Sequence, residues 1–147
     1  MKIAIRAACA LAIAGAAACG GPPAASPTGE GTTFAQQAGE GAKLYADKCA
    51  SCHGANGEGG DAPRVVGLSQ GALPLNPSPS AKYRKGTFHT AADVAGFVVK
   101  AMPPDAPGSL SEAQYWAILA FDLKANGVDL GNKHLDATSA PTVVVHP

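Results

Sequence analysis

Cys49, Cys52 and His53 stand together as Cys49-Ala50-Ser51-Cys52-His53, a C-x-x-C-H pattern within 147 residues. Two thiols at that spacing lie one helical turn apart. Each can form a thioether with one of the two vinyl groups on a haem edge. The imidazole of the next residue then lies under the iron as an axial ligand. This is the pattern of c-type haem attachment. Other uses of the same residues are weaker. A structural disulfide has no need of His53. A dithiol redox pair belongs in a βαβ context, and no such alternation is visible. A zinc site takes about four ligands; Cys49, Cys52 and His53 would need a distant histidine in a crowded arrangement.

An iron held by His53 has a second axial position to fill. Met1 falls in an N-terminal leader, which leaves Met102 as the one methionine of the mature chain. It precedes Pro103 and Pro104, which restrict its backbone. A thioether is a soft, neutral ligand that raises the reduction potential. A lone methionine ordinarily fills a gap in a core; the proline-held context and the unfilled ligand position favour ligation by Met102. The rivals are His89, then His134 and His146, which read as surface residues of the tail.

Three helical segments must position these groups. The first runs over about 34–48, with Thr32 or Thr33 as N-cap and Ala38, Ala42, Tyr45 and Cys49 at helical spacing. Gly39 and Gly41 weaken it by roughly 1 kcal/mol each relative to Ala. A glycine inside a helix also admits the close approach of another backbone, and Gly41 and Tyr45 share a face. The second segment runs over about 91–101. Thr90 and Asp93 form a capping box, and Val94, Phe97, Val98 and Ala101 form the apolar face. The third runs over about 112–126, opened by Ser111 with Gln114. Tyr115, Ile118, Leu119 and Asp122 line one side, Trp116, Ala120 and Leu123 an adjacent one. Gly127 is placed to end it in a left-handed cap. Between His53 and Thr90 the chain has seven Gly and four Pro and no sustained period. A loop that long argues against a compact domain unless it wraps a ligand.

The N-terminus reads as a leader. Lys2 and Arg6 precede an apolar run, residues 7–18, too short to span a bilayer. Ala16-Ala17-Ala18 before Cys19 resembles a bacterial lipoprotein box, with Ala16 where a large aliphatic residue is usual. Cys19 is thus a candidate lipidation site; ordinary cleavage that leaves a free thiol is the alternative. Residues 20–32 (GGPPAASPTGEGT) have the composition of a semi-extended tether. The expected organisation is a signal peptide over 1–18, a tether over 19–32, a domain over 33–127 and a C-terminal extension over 128–147. In that extension Val143-Val144-Val145 reads as a short strand or an apolar patch laid over the domain.

Composition narrows the function. Charged residues are 15% of the chain, against a typical quarter, and 11 basic residues balance 11 acidic ones. Loss of Lys2 and Arg6 leaves a net charge of about −2. With no basic stripe, nucleic acid is not an expected partner. Aromatics are only 5%, so large core-filling side chains are scarce and a bulky cofactor suits the shortfall.

With these motifs in view, the sequence resembles a mono-haem class I cytochrome c of the bacterial periplasmic type, over about residues 39–127. The resemblance rests on G-x-x-x-Y-x-x-x-C-x-x-C-H (Gly41 to His53), Pro-x-Val-x-Gly (Pro63 to Gly67), Met102-Pro103 and the amphipathic terminal helix. It implies an all-α fold of three main helices with long loops wrapping one covalently attached haem c. It further implies that the first and last helices cross at a close contact, with Gly41 and Tyr45 on one side and Ile118 and Phe121 on the other. The carbonyl of Pro63 would accept from the non-ligating nitrogen of His53, fixing its tautomer. The stretch from Met102 to Ser111, with Tyr115-Trp116 and Ala125-Asn126-Gly127, is similar to cytochrome subunits of periplasmic dehydrogenases.

Further candidates are weighed against simpler roles. Tyr83, Arg84 and Lys85 suit haem propionates or a solvated cluster of loop charges. Trp116 reaches a propionate or, more simply, packs in the core. Leu68, Leu73, Val94, Phe97 and Leu110 suit the haem faces; helix packing is the alternative for Val94 and Phe97. Lys43 and Lys48 serve solubility, or steer an acidic partner. The expected function is one-electron transfer by a non-enzymatic carrier with His53/Met102 ligation. It would be exported to the periplasm, with a redox protein as donor and another as acceptor, and tethered to the membrane if Cys19 is acylated. The alternative is a dedicated cytochrome subunit of a dehydrogenase or other oxidoreductase complex. A haem catalyst or gas sensor with a labile Met102 ranks third.

Overall fold

Residues 32–146 are described by a computed structural model. The leader, Cys19 and the tether up to residue 31 lie outside the described residues. Each main helix begins at a reciprocal cap that satisfies two otherwise orphaned backbone groups. Thr33 and Gln36 open α1 (Phe34–Lys48), Thr90 and Asp93 open α3 (Ala91–Ala101), and Ser111 and Gln114 open α4 (Glu112–Ala125). The box at Thr33 adds to the lone N-cap read from the sequence. A single turn, α2 (Ala50–His53), follows α1 directly, and 3-10 turns lie at Leu68–Gln70 and Ala140–Thr142. No strand is present among the described residues; one antiparallel bridge joins Thr90 and Val144.

The helix ends have local causes. Pro103 drives Met102 into extended geometry (φ −127°, ψ 145°), so α3 stops at Ala101. α4 stops at Ala125, one residue before the expected end. Asn126 caps it, and Gly127 follows in the left-handed region at φ 89°.

α1 and α4 cross in backbone contact. A Cβ built on Gly41 would lie 1.8 Å from the carbonyl oxygen of Ala117, so only glycine permits this approach. One turn on, the rings of Tyr45 and Phe121 pack at 4.8 Å between centroids. Gly39 faces open space, so it serves no contact there. Around the crossing, Phe34, Ala38, Val94, Leu119 and Leu123 form one buried cluster.

The tail enters that same cluster. Leu135, Ala140, Val143 and Val145 are all buried in it. Gln37 of α1 grips the tail as a second backbone would. Its Nε2 donates to the Leu135 carbonyl (2.8 Å), and its Oε1 accepts from the Leu135 amide (2.9 Å). The Ala91 amide donates to the Val143 carbonyl and the Val145 amide to the His89 carbonyl (2.8 and 2.9 Å). Two histidines read as surface residues are instead half-buried. His134 accepts from Gln37 Nε2 and bonds Thr32 Oγ1 (both 3.1 Å). His146 Nε2 donates to the Leu73 carbonyl (2.6 Å). Isolated histidines in an aperiodic tail carry no sign of such partners.

Paired glycine substitutions test the crossing. Gly41→Ala costs on the order of 1–3 kcal/mol or prevents folding, whereas Gly39→Ala gains roughly 0.5–1 kcal/mol. Denaturant unfolding of the two variants reads both, and equal effects would refute the contact. Leu135→Ala costs about 2–5 kcal/mol if the tail belongs to the core.

Candidate haem site

The site begins where α1 ends. Cys49 donates its amide to the Tyr45 carbonyl (2.8 Å), and its own carbonyl accepts from the amides of Cys52 (3.1 Å) and His53 (3.0 Å). It is thus at once the last cap of α1 and the first of α2. This sharp continuation places the two thiols one turn apart with His53 immediately after. Gly54 (φ 87°) then turns the chain, where a Cβ would strike Glu58 and the Gly59 carbonyl. Tyr45 Oη donates to the Gly54 carbonyl (3.0 Å), tying the turn back to α1.

The loop returns to His53. His53 Nδ1 donates to the Pro63 carbonyl at 2.6 Å, as the resemblance implied. Such a bond fixes the tautomer and makes the other nitrogen more basic. Nε2 makes no hydrogen bond among the described residues. The loop is held by Ala62 N to Cys52 O (2.9 Å) and by the amides of Val65 and Val66, which share the Gly57 carbonyl (2.8 and 2.9 Å). Asn126 anchors its far end to α4. Asn126 Oδ1 accepts from the Gly67 amide (2.7 Å), and its Nδ2 donates to the carbonyls of Val65 and Asp122 (both 2.8 Å). In the sequence Asn126 signalled only a helix stop.

Met102 is carried separately, at the end of α3. Its amide donates to the Val98 carbonyl (2.8 Å), its carbonyl accepts from Tyr115 Oη (2.8 Å), and it is half-buried. Its thioether has no hydrogen-bond partner among the described residues.

The candidates around a propionate separate. Arg84 is buried, with Nε on the Gly86 carbonyl (2.9 Å), Nη2 on the carbonyls of Leu75 (2.7 Å) and Pro74, and its guanidinium 3.6 Å over Phe88. It is therefore no member of a solvated charge cluster. Nη1 has no partner among the described residues, and Arg84 lines a cleft of about 330 Å³ with Lys85, Phe88, Phe97 and Lys100. Burial lowers the Arg84 pKa. Tyr83 is 68% exposed, and Lys85 donates to the Ala81 carbonyl (3.0 Å). Trp116 Nε1 donates to Glu112 Oε1 (3.2 Å), and the ring packs against the core. Leu73 and Val94 are buried in the core, with Leu68 and Phe97 against it.

Asp122 is the unexpected member. It is buried in α4, and its Oδ1 has no hydrogen-bond partner among the described residues. Burial holds its carboxyl well above the usual range. Burial first, then Asp122, raises the Tyr45 phenol. Burial, Asp122 and Cys52, in that order, push the Cys49 thiol up to about 11. Cys49 is thus a thiol at neutral pH, the reverse of the low-pKa thiolate that dithiol exchange needs. Among the described residues no group of three or more His, Cys, Asp or Glu is arranged to hold a metal, so the zinc reading lacks its remaining ligands. A thioether pair with a free, oriented imidazole fits the donors present.

Asn126→Ala tests the loop anchor. It leaves a half-buried amide and carbonyls without their side-chain partner, at about 1–3 kcal/mol. Denaturant unfolding measures that cost, and hydrogen exchange reports faster exchange at the Gly67 amide; unchanged exchange there would exclude the anchor.

Comparison with known proteins identifies the family. A family model described as "Cytochrome C oxidase, cbb3-type, subunit III" matches residues 36–121. The thiosulfate dehydrogenase of Stutzerimonas stutzeri (strain A1501) is 34% identical over 82 residues, which are 56% of this chain and 25% of that protein. The chain thus spans about a quarter of that relative's length. The crystal structure of the sulfane dehydrogenase SoxCD from Paracoccus pantotrophus superposes with a TM-score of 0.53 at 24% identity, over 86% of this chain and 68% of that one. At that identity the likeness concerns the fold. The family match covers more than half of the chain and contains both cysteines and His53. The chain therefore belongs to the family of subunit III of the cbb3-type cytochrome c oxidase, all-α electron carriers with covalently bound haem c.

Proposed function

We propose that this chain is an exported one-electron carrier in which His53 Nε2 and Met102 Sδ are the axial ligands of a single haem c. The observation that carries the reading is the 2.6 Å bond from His53 Nδ1 to the Pro63 carbonyl, which leaves Nε2 as the free, basic nitrogen. Haem c supplies a reversible one-electron couple when bound. Cys49 and Cys52 would hold it through thioethers. The proline-restricted backbone at Met102, tied to Tyr115, would present the thioether from α3. Arg84 Nη1 is the free donor suited to a propionate; Tyr83 and Trp116 are weaker contributors. With both axial positions taken, no position is left for a substrate, so the protein transfers electrons and does no chemistry on a bound molecule.

The partner class follows from the relatives. Both are named as dehydrogenases of sulfur compounds, and one is about four times the length that this chain covers. A dehydrogenase as donor, in the periplasm, fits these names, and a dedicated subunit of such a complex is the second reading. A signal peptide over 1–18 and acylation of Cys19 would tether the domain over 33–127 to a membrane. No described helix is long and apolar enough to cross one.

Redox titration of the visible spectrum tests the ligands. Wild type shows the iron–thioether charge-transfer band. Met102→Ala loses it, titrates at a lower potential and binds carbon monoxide rapidly when reduced. A Met102→Ala variant with unchanged band and potential would remove Met102 from the site. Mass spectrometry of the exported protein reads haem addition and acylation of Cys19 together.

A further inference from the structure

Asp122 has no part in that scheme, and its position is costly. A buried carboxyl is normally paired or hydrogen-bonded. Asp122 is 8% exposed, and its shielded Oδ1 has no partner among the described residues. A leucine would satisfy packing alone beside Leu119 and Leu123. The titratable groups of α1 coupled to Asp122 are Tyr45 and, at its cap, Cys49. Neither is a cation, and among the described residues no salt bridge reaches Asp122. Cys49, the attachment point, caps α1 one turn beyond Tyr45, and the Tyr45 ring packs at 4.8 Å on that of Phe121, the residue before Asp122. A haem held through Cys49 would be joined to the chain at the end of this crossing, and the charge it carries would rise by one on oxidation. A nearby positive charge favours the ionised carboxylate.

We infer that Asp122 is a redox-linked proton site, which releases a proton when the haem is oxidised and takes one up when it is reduced. The inference rests on haem attachment at Cys49 and Cys52. On reduction, one electron arrives from the redox partner and converts ferric to ferrous iron. One proton from solvent forms an O–H bond on the Asp122 carboxyl, and the net charge of the region is unchanged. On oxidation the O–H bond breaks, the proton returns to solvent and the electron leaves to the acceptor. The carboxylate stabilises ferric iron, so the potential falls as pH rises and is flat where Asp122 keeps one form in both redox states.

Spectroelectrochemical titration of the holoprotein against pH tests this. Wild-type potential falls by up to about 59 mV for each tenfold drop in proton activity, the limit for one proton per electron. Asp122→Asn mimics the protonated form, so its potential is flat and equals the acid limit of wild type. If that variant does not fold, the wild-type infrared difference spectrum decides: a protonated carboxyl C=O band is present on reduction and absent on oxidation. A flat wild-type potential, a slope retained in Asp122→Asn as propionates would give, or no carboxyl band would each overturn the inference. Acid-acetone extraction separates the two levels. Colour lost from wild type overturns attachment and the inference with it; coloured protein with a flat potential overturns the inference alone.

Discussion

The backbone contact of Gly41 with Ala117 is the constraint on which the rest of the structure depends. It sets how near α1 comes to α4, and both halves of the site hang from those helices. Cys49 and His53 continue directly from α1. The loop that orients His53 is pinned to Asn126 at the end of α4, and Met102 is tied to Tyr115 near its start. A side chain at position 41 would push the helices apart and move His53 and Met102 relative to each other. Close-packed interiors transmit such displacements instead of absorbing them.

Polar groups in the loops do structural work that charge counting obscures. Arg84 spends three of its five donors on backbone carbonyls and stacks on Phe88, replacing secondary structure that the Pro-rich segment cannot form. Asn126 does the same between loop and helix. A buried backbone carbonyl needs a partner, and in a glycine- and proline-rich wrap side chains must supply it. The low charged fraction of the chain is consistent with this use of single polar residues as local braces.

Much of the scaffold was readable in advance because its signals are local. Thr90 with Asp93, Ser111 with Gln114, and Pro103 after Met102 each act within one turn, and the helices begin and end where these residues require, to within one position. The helix crossing was readable through the resemblance, since Gly41, Tyr45 and Phe121 gain meaning only as a set. Gln37, Asn126 and His134 were not readable in these roles: their partners lie 98, 59 and 97 positions away. The tail was obscure for the same reason, because Leu135, Val143 and Val145 follow no helical or strand period. Asp122 fell on an apolar face at helical spacing, but its lack of a partner is a property of the packed state.

The grip of Gln37 on Leu135 has a consequence for the order of assembly. α1 finds its partners in α4 and the tail, so most of what would bury its apolar face is made last. Contacts of such long sequence separation form only after the loops between them close. A chain made from its N-terminus therefore presents Cys49 and Cys52 before the elements that bury α1 exist. Cys52 stays exposed and Cys49 half-buried in the finished fold, so the turn that carries the two thiols remains at the surface while the helix behind it becomes locked in place.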